Sequence, residues 1–197
     1  MNFSELNNKF DAIINDIQSN EMGNIMVSIA SDALVTIRER IKESGTNAEG
    51  GQYPPYSTNP MLSGCKNFIQ KAACERYVKK DDTKWVMIDR GTPQMRPLFV
   101  IPGGYKEFRE IQGRQTGFVD FSFSNRMWNN IKIVSDNSEH NQGIARIAAT
   151  TDEDKKKLEG NTKRKGKILK LSQSEISELS RRFSTKITQI FERHGLK

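Results

Sequence analysis

Apolar residues at the N-terminus recur every three or four positions: Phe3, Leu6, Phe10, Ile13, Ile14 and Ile17, then Met22, Ile25, Met26, Ile29, Ala33, Leu34, Ile37 and Ile41. That period predicts helix across residues 3–43. Asn20 and Gly23 suit a break, with Asn20 capping a second helix, and Gly45 suits a C-terminal stop. Such an apolar stripe packs on the chain's own core or on a neighbour. The pattern then lapses over residues 44–64, which are rich in Gly, Pro, Ser and Asn. Pro54, Pro55 and Pro60 argue against any regular ladder or helix there. Loops of this length inside a domain tend to be functional, and Tyr53 and Tyr56 beside the prolines make it either a partner surface or an ordinary ordered loop.

Shorter patterns follow. A helix is predicted over Cys65–Val78, strands over Trp85–Ile88 and Leu98–Ile101, a turn at Pro102-Gly103-Gly104, and a short helix over Tyr105–Ile111. Val119–Phe123 alternates apolar and polar, the mark of a half-buried strand. A helical turn over Arg126–Asn130 precedes two strands, Ile131–Val134 and Ile144–Ala149, joined across Ser135–Gly143 as a hairpin. Thr151 opens a capping sequence for a helix over Asp152–Glu159 ending near Gly160. A last strand is expected at Ile168–Leu171. Ser172-Gln173-Ser174-Glu175 is a second capping box, and Ile176, Leu179, Phe183, Ile187, Ile190 and Phe191 mark the final helix. Strands adjacent in sequence without crossover helices imply an α+β class: a small antiparallel sheet flanked by a long N-terminal helix and a C-terminal helix.

Composition narrows this picture. The 197 residues are 35% hydrophobic, and Leu, Ile, Val and Phe supply 45 of them. That is roughly 23%, just above the level of about 20% below which chains tend to stay disordered. One lean domain over 1–197 is expected, with an N-terminal helical extension at about 1–24. No apolar run approaches the roughly 18 residues that span a bilayer, and Glu5 stands where a signal peptide carries basic charge. No membrane partner and no signal-peptide secretion are expected.

The net charge of +7 is concentrated. Residues 155–170 hold Lys155, Lys156, Lys157, Lys163, Arg164, Lys165, Lys167 and Lys170 against the single acid Glu159, leaving the other 181 residues with 23 bases and 23 acids. Such a segment can contact nucleic-acid phosphates, lie in solvent as a loop, or meet an acidic neighbouring subunit. No aromatic residue lies among the bases to stack on nucleobases, so binding would be to the backbone with little sequence reading.

Motifs for chemistry are weak. Gly160–Gly166 with Lys167 has five residues between its glycines where a phosphate loop has four, and Ile168 stands where that loop needs Ser or Thr. Pro102-Gly103-Gly104 lacks the third glycine of a dinucleotide fingerprint, and no Gly-x-Ser-x-Gly elbow exists. Cys65 and Cys74, with eight residues between them, match no disulfide framework or zinc spacing and read as two ordinary thiols. His140 gives neither a persuasive nucleophile partner, and His194 suits a helix C-terminal end. Asp120, Asp136 and Glu139 form no metal-ligand pattern. No catalytic residue, cofactor or metal is expected.

The stretch Gly103-Gly104-Tyr105-Lys106-Glu107-Phe108-Arg109, continued by Gly113-Arg114, Thr116, Val119-Asp120, Ser124 and Met127, can wedge a helix against a sheet edge and fix a corner through Arg109 or Arg114. That corner serves either an assembled interface or the chain's own fold. The stretch resembles the minor tail, tail-completion and head–tail joining (neck) proteins of tailed bacteriophages. Gly45–Gly50 with Tyr53 and Tyr56-Ser57 is similar to that family's loop, and Leu171-Ser172 to its entry into the last helix. After the strand serine the family usually has a small residue, often Gly, where this chain has Asn125.

The resemblance implies a structural, non-catalytic virion protein, assembled in the bacterial host cytoplasm. It would form a ring of about six or twelve copies at the neck or upper tail, beside portal, neck and tail proteins. It places Tyr53, Tyr56, Tyr105, Phe108, Arg109 and Arg114 at subunit contacts. The bases Lys155, Lys156, Lys157, Lys163, Arg164, Lys165 and Lys167 would face packaged DNA or an acidic ring. The alternative is a small basic nucleic-acid-binding module acting through residues 155–170.

Overall fold

The N-terminal helical period resolves into two helices, α1 (Phe3–Asp16) and α2 (Met22–Ser44). The computed structural model describes residues 3–17, 21–79, 85–88, 96–122, 124–136 and 144–196. Asn20, Phe123 and the connection 137–143, with Glu139 and His140, lie outside them. Gly45 ends α2 at φ 65°, donating its N–H to the Ile41 carbonyl. A Cβ there would meet the Phe118 side chain at 2.6–2.9 Å, so the left-handed turn and the close ring both need glycine.

The class is α+β. Strands β1 (Met61–Ser63), β2 (Trp85–Ile88) and β3 (Arg96–Ile101) form an antiparallel sheet in the order β1-β3-β2, with Met61 opposite Ile101 and Trp85 opposite Phe99. The end of the proline loop therefore does enter a ladder, contrary to expectation. Pro60 immediately precedes the paired residues and withholds no hydrogen bond from them. A 3-10 turn (Cys65–Asn67) and α3 (Lys71–Lys79) replace the single helix predicted over 65–78. α4 (Gly104–Ile111) and α5 (Arg126–Asn130) fall where the sequence puts them. So do β4 (Ile131–Asp136) and β5 (Ile144–Ala149), which pair antiparallel with Ile131 opposite Ala149. Asn125, at φ 58°, occupies the left-handed conformation that a glycine would fill.

Three further expectations are corrected. Of the strand expected over Val119–Phe123, the described residues 119–122 form none: the Asp120 N–H donates to the Tyr56 hydroxyl, the Asp120 carbonyl accepts from Trp128, and the Ser122 carbonyl accepts from Arg109. Side chains have taken the backbone groups a ladder would need. Residues 168–171 form no strand for the same reason, since the carbonyls of Lys167 and Lys170 accept from Tyr53 and Arg40. Finally, α6 (Asp152–Lys165) continues through Gly160 to Gly166. Its Thr151 cap, three acids in the first turn and three bases in the last offset the roughly 1 kcal/mol that an interior glycine costs.

Two apolar clusters result. α2 packs Leu34, Ile37 and Ile41 against Ile131 and Ala149 of the hairpin, together with Tyr53, Tyr56, Val119, Met127, Trp128 and Ile168. The second cluster gathers Phe68, Ala73, Cys74, Tyr77, Phe99, Ile101 and Phe108. Tyr105 packs against both. The final helix, α7 (Gln173–Arg193), opens on the Ser172–Glu175 capping box and runs antiparallel to α2, joined by Arg40–Glu175, Arg182–Asp32 and Arg193–Glu21. Leu179 and Ile190 are buried, whereas Ile176 stays 42% exposed. α1, whose Ile13 is buried, meets the end of α7: Lys9 donates to the Gly195 carbonyl at 3.2 Å, and His194, at the α7 C-cap, lies 2.7 Å from the Asp16 carboxylate.

The reading of Cys65 and Cys74 as free thiols is overturned: their sulfurs are bonded, tying the 3-10 turn to α3 beside the second cluster. Spacing alone could not show this, because the turn at 65–67 brings the two Cα atoms to 5.4 Å. Closing so short a loop is worth about 2–3 kcal/mol. Dithiothreitol, or a Cys65→Ser/Cys74→Ser variant, should lower the thermal midpoint by several degrees. An unchanged midpoint in a scan would mean that the bridge adds nothing to the fold.

Candidate functional site

The segment that carries the family resemblance is a buried brace. Gly104 opens α4 at φ 66°, and a Cβ there would collide with the backbone of Ser57, Thr58 and Asn59. The proline loop can therefore lie directly on the helix start, where Lys106 N–H donates to the Ser57 carbonyl at 3.0 Å. Glu107 turns back to accept the Gly103 N–H at 2.6 Å. The next turn of the helix delivers Phe108 to the second cluster and Arg109 towards the first.

Arg109 is 1% exposed. Its Nη2 donates to both Asp120 carboxylate oxygens at 3.1 Å, its Nε to the Gln115 carbonyl at 3.0 Å and its Nη1 to the Ser122 carbonyl at 3.3 Å. The guanidinium carbon also lies 4.4 Å from the centre of the Tyr56 ring. Asp120 in turn accepts from the Tyr56 hydroxyl at 2.8 Å and from the Ser122 N–H at 2.8 Å. Burial, reinforced by that donation to a carboxylate, pushes the Tyr56 phenol well above its ordinary value. Burial also raises Tyr53 and Tyr105.

Four of the six residues expected at subunit contacts are thus inside the chain's own core: Tyr53, Tyr56, Phe108 and Arg109. Tyr105 is half-buried between the clusters, and Arg114 is half-buried at the surface. The aromatic rings of the proline loop point inward because Asp120, Lys167 and Arg109 offer them polar partners there. Trp128, whose indole donates to the Asp120 carbonyl at 3.2 Å, belongs to the same brace and was not singled out from sequence. The signal available was an acid set within the apolar run 118–123.

The basic segment is divided by its helix. Lys155 pairs with Asp152 at 3.1 Å, Lys157 with Glu153 at 2.6 Å, and Lys170 with Glu49. Lys165 reaches the Pro54 and Pro55 carbonyls at 2.8 and 2.5 Å; burial, then the adjacent Arg164, lowers its pKa. Lys156, Lys163, Arg164 and Lys167 remain exposed without an ion pair among the described residues. The last three gather at the C-terminal end of α6, a cationic surface suited to phosphates or carboxylates. Among the described residues, no group of three His, Cys, Asp or Glu side chains is arranged to hold a metal, and no helix is long and apolar enough to cross a membrane.

Arg109→Met leaves the Asp120 carboxylate buried without its cation, and should cost about 3–5 kcal/mol in urea unfolding. A loss below about 1 kcal/mol, by the same measurement, would remove the brace from its central place. Tyr56→Phe isolates the phenol. Because the fold favours the neutral phenol, stability is complete below about pH 10 and falls as pH rises towards the raised folded value. The variant should start about 1–2 kcal/mol lower and lose stability less steeply above about pH 10, by about one proton in the pH slope of the urea midpoint.

Compared with protein-family models, with curated proteins and with solved structures, the chain matches none.

Proposed function

We propose that this chain is a structural protein of a tailed-bacteriophage virion, repeated as a ring at the head–tail junction or upper tail. What supports the reading is the use made of the residues that carry the likeness. Gly104, Arg109, Asp120 and Tyr56 form one buried scaffold that fixes a helix against a loop. A motif of this kind sets shape, and shape is what an assembling part contributes. Since the aromatic rings of the proline loop are internal, contacts between copies fall on the outer faces of the helices and the hairpin.

In such a ring the exposed end of α6 faces the duplex in the channel. Lys163, Arg164 and Lys167 supply positive charge without aromatic partners, so attraction is to phosphate and independent of sequence. The second reading, a basic nucleic-acid-binding module, draws on the same cluster and differs in needing no self-assembly.

Negative-stain electron microscopy of the purified chain, paired with duplex-DNA binding at several salt concentrations, separates the two. Closed rings of one size are expected. Lys163→Glu/Arg164→Glu/Lys167→Glu should flatten the salt slope of DNA binding by about 0.9 for each phosphate that is no longer neutralised, while leaving the rings intact. A chain that stays monomeric at every concentration yet binds duplex DNA with a steep salt slope would replace the ring with the binding module.

A further inference from the structure

We infer that the Cys65–Cys74 bond is a redox-operated clasp: closed, it holds α3 and the turn before it over the second apolar cluster, and a dithiol reductant opens it. The loop that the bond closes carries Phe68, which is 7% exposed. Its ring lies 5.7 Å from that of Phe99 on β3 and 5.0 Å, edge-on, from that of Phe108 on α4. The next residue, Ile69, donates its N–H at 2.8 Å to the side chain of Gln112, the C-cap of α4. α3, which bears the second cysteine, buries Ala73, Cys74 and Tyr77 in the same cluster and leaves Ala72, Glu75 and Arg76 exposed.

The covalent bond is the strongest tie that α3 has. At nine residues the helix is shorter than the roughly 12–15 at which one becomes stable by itself, so it depends on the face it covers. Among the described residues, the element α3 approaches most is the 3-10 turn at the other end of the bond. The Tyr77 hydroxyl lies 3.5 Å from the Val100 carbonyl and 3.4 Å from the Glu107 carboxylate, both long for an O–H donor. Ala73 adds a single methyl group. Phe108, the α4 residue against which Phe68 packs, adjoins Arg109, so the clasp bears directly on the helix that carries the buried brace.

The two cysteines are unequally open. Cys74 is 0% exposed and Cys65 is half-buried, so an incoming thiolate meets the Cys65 sulfur. A bond forms between the reductant and that sulfur as the Cys65–Cys74 bond breaks, and Cys74 leaves as a thiolate that takes a proton. The reductant's second thiolate then attacks the reductant's own sulfur in the mixed disulfide and releases Cys65, which takes the second proton. Two electrons and two protons pass to the chain, and the dithiol ends as a disulfide. With the loop open, Phe68 and α3 withdraw, uncovering the Phe99 and Phe108 rings. A disulfide oxidant of the glutathione class reverses both steps and closes the clasp.

Amide hydrogen exchange of the full chain at room temperature, before and after reduction with dithiothreitol, tests the clasp, with thiol alkylation confirming that reduction is complete. Loss of a loop closure speeds exchange throughout a fold, so the reading is the difference between elements. Reduction should accelerate exchange across α3 at least about tenfold more than across α2 and α7, and oxidised glutathione should restore the slow rates. Cys65→Ser/Cys74→Ser should exchange like the reduced chain whether or not dithiothreitol is present, with circular dichroism verifying that it is folded. An equal acceleration in α3, α2 and α7 would make the bond a staple of the whole fold and overturn the clasp. So would a bond that dithiothreitol leaves intact in the folded chain. Neither result depends on whether the chain forms rings.

Discussion

The Arg109–Asp120 pair is the constraint around which the molecule is arranged. Removing both charges from water is costly, and mutual attraction alone does not return that cost. The fold meets it by placing hydrogen-bond partners on every side: two backbone carbonyls for the guanidinium, a phenol and an amide for the carboxylate, and the Tyr56 face beneath the arginine. Because Arg109 grows from α4 and Asp120 from an irregular segment, the pair can form in only one relative placement of the two apolar clusters. Its contribution is orientation more than net stability. The irregular backbone at 119–122 is a consequence, since its polar groups are bound by Tyr56, Trp128 and Arg109 before a neighbouring strand could take them.

α2 is the second organising element. One side covers the hairpin with aliphatic residues, another meets α7, and the third is open. Along α7 the contact is held by charge as much as by apolar burial. Arg40 illustrates it, bonding Glu175 at 2.8 Å and the carbonyls of Thr46 and Lys170 at 2.7 Å, so that one guanidinium fastens the end of a helix, the loop after it and the start of the last helix. The other inter-helix pairs are more exposed and individually worth little. A chain with few aliphatic residues thus assigns them to α2 and the hairpin, and joins its remaining layers with directional bonds.

Elements with one dominant period were legible in the sequence. α2, α7 and the β4–β5 hairpin follow from spacing, and the Ser172–Glu175 capping box marks its helix to the residue. Failures cluster where side chains capture backbone. The alternation at Val119–Phe123 satisfied a strand pattern, but Asp120 inside it was an anchor for Arg109. The Tyr53 and Tyr56 rings were visible as contact area, yet their direction depends on acceptors more than 60 residues away in sequence for Tyr56 and over 100 for Tyr53. The Cys65–Cys74 bond needed the 3-10 turn, a local geometry that no spacing rule encodes. Gly160 reads as a stop for α6, whereas the acids at one end and bases at the other stabilise a helix that runs past it.

That last point changes what the basic segment means. Three of its bases sit in the final turn of α6 and three acids in the first, the distribution that the helix dipole itself favours. Lys163 and Arg164 therefore serve the helix itself, and together with Lys156 and Lys167 they are also the bases left exposed to a polyanion.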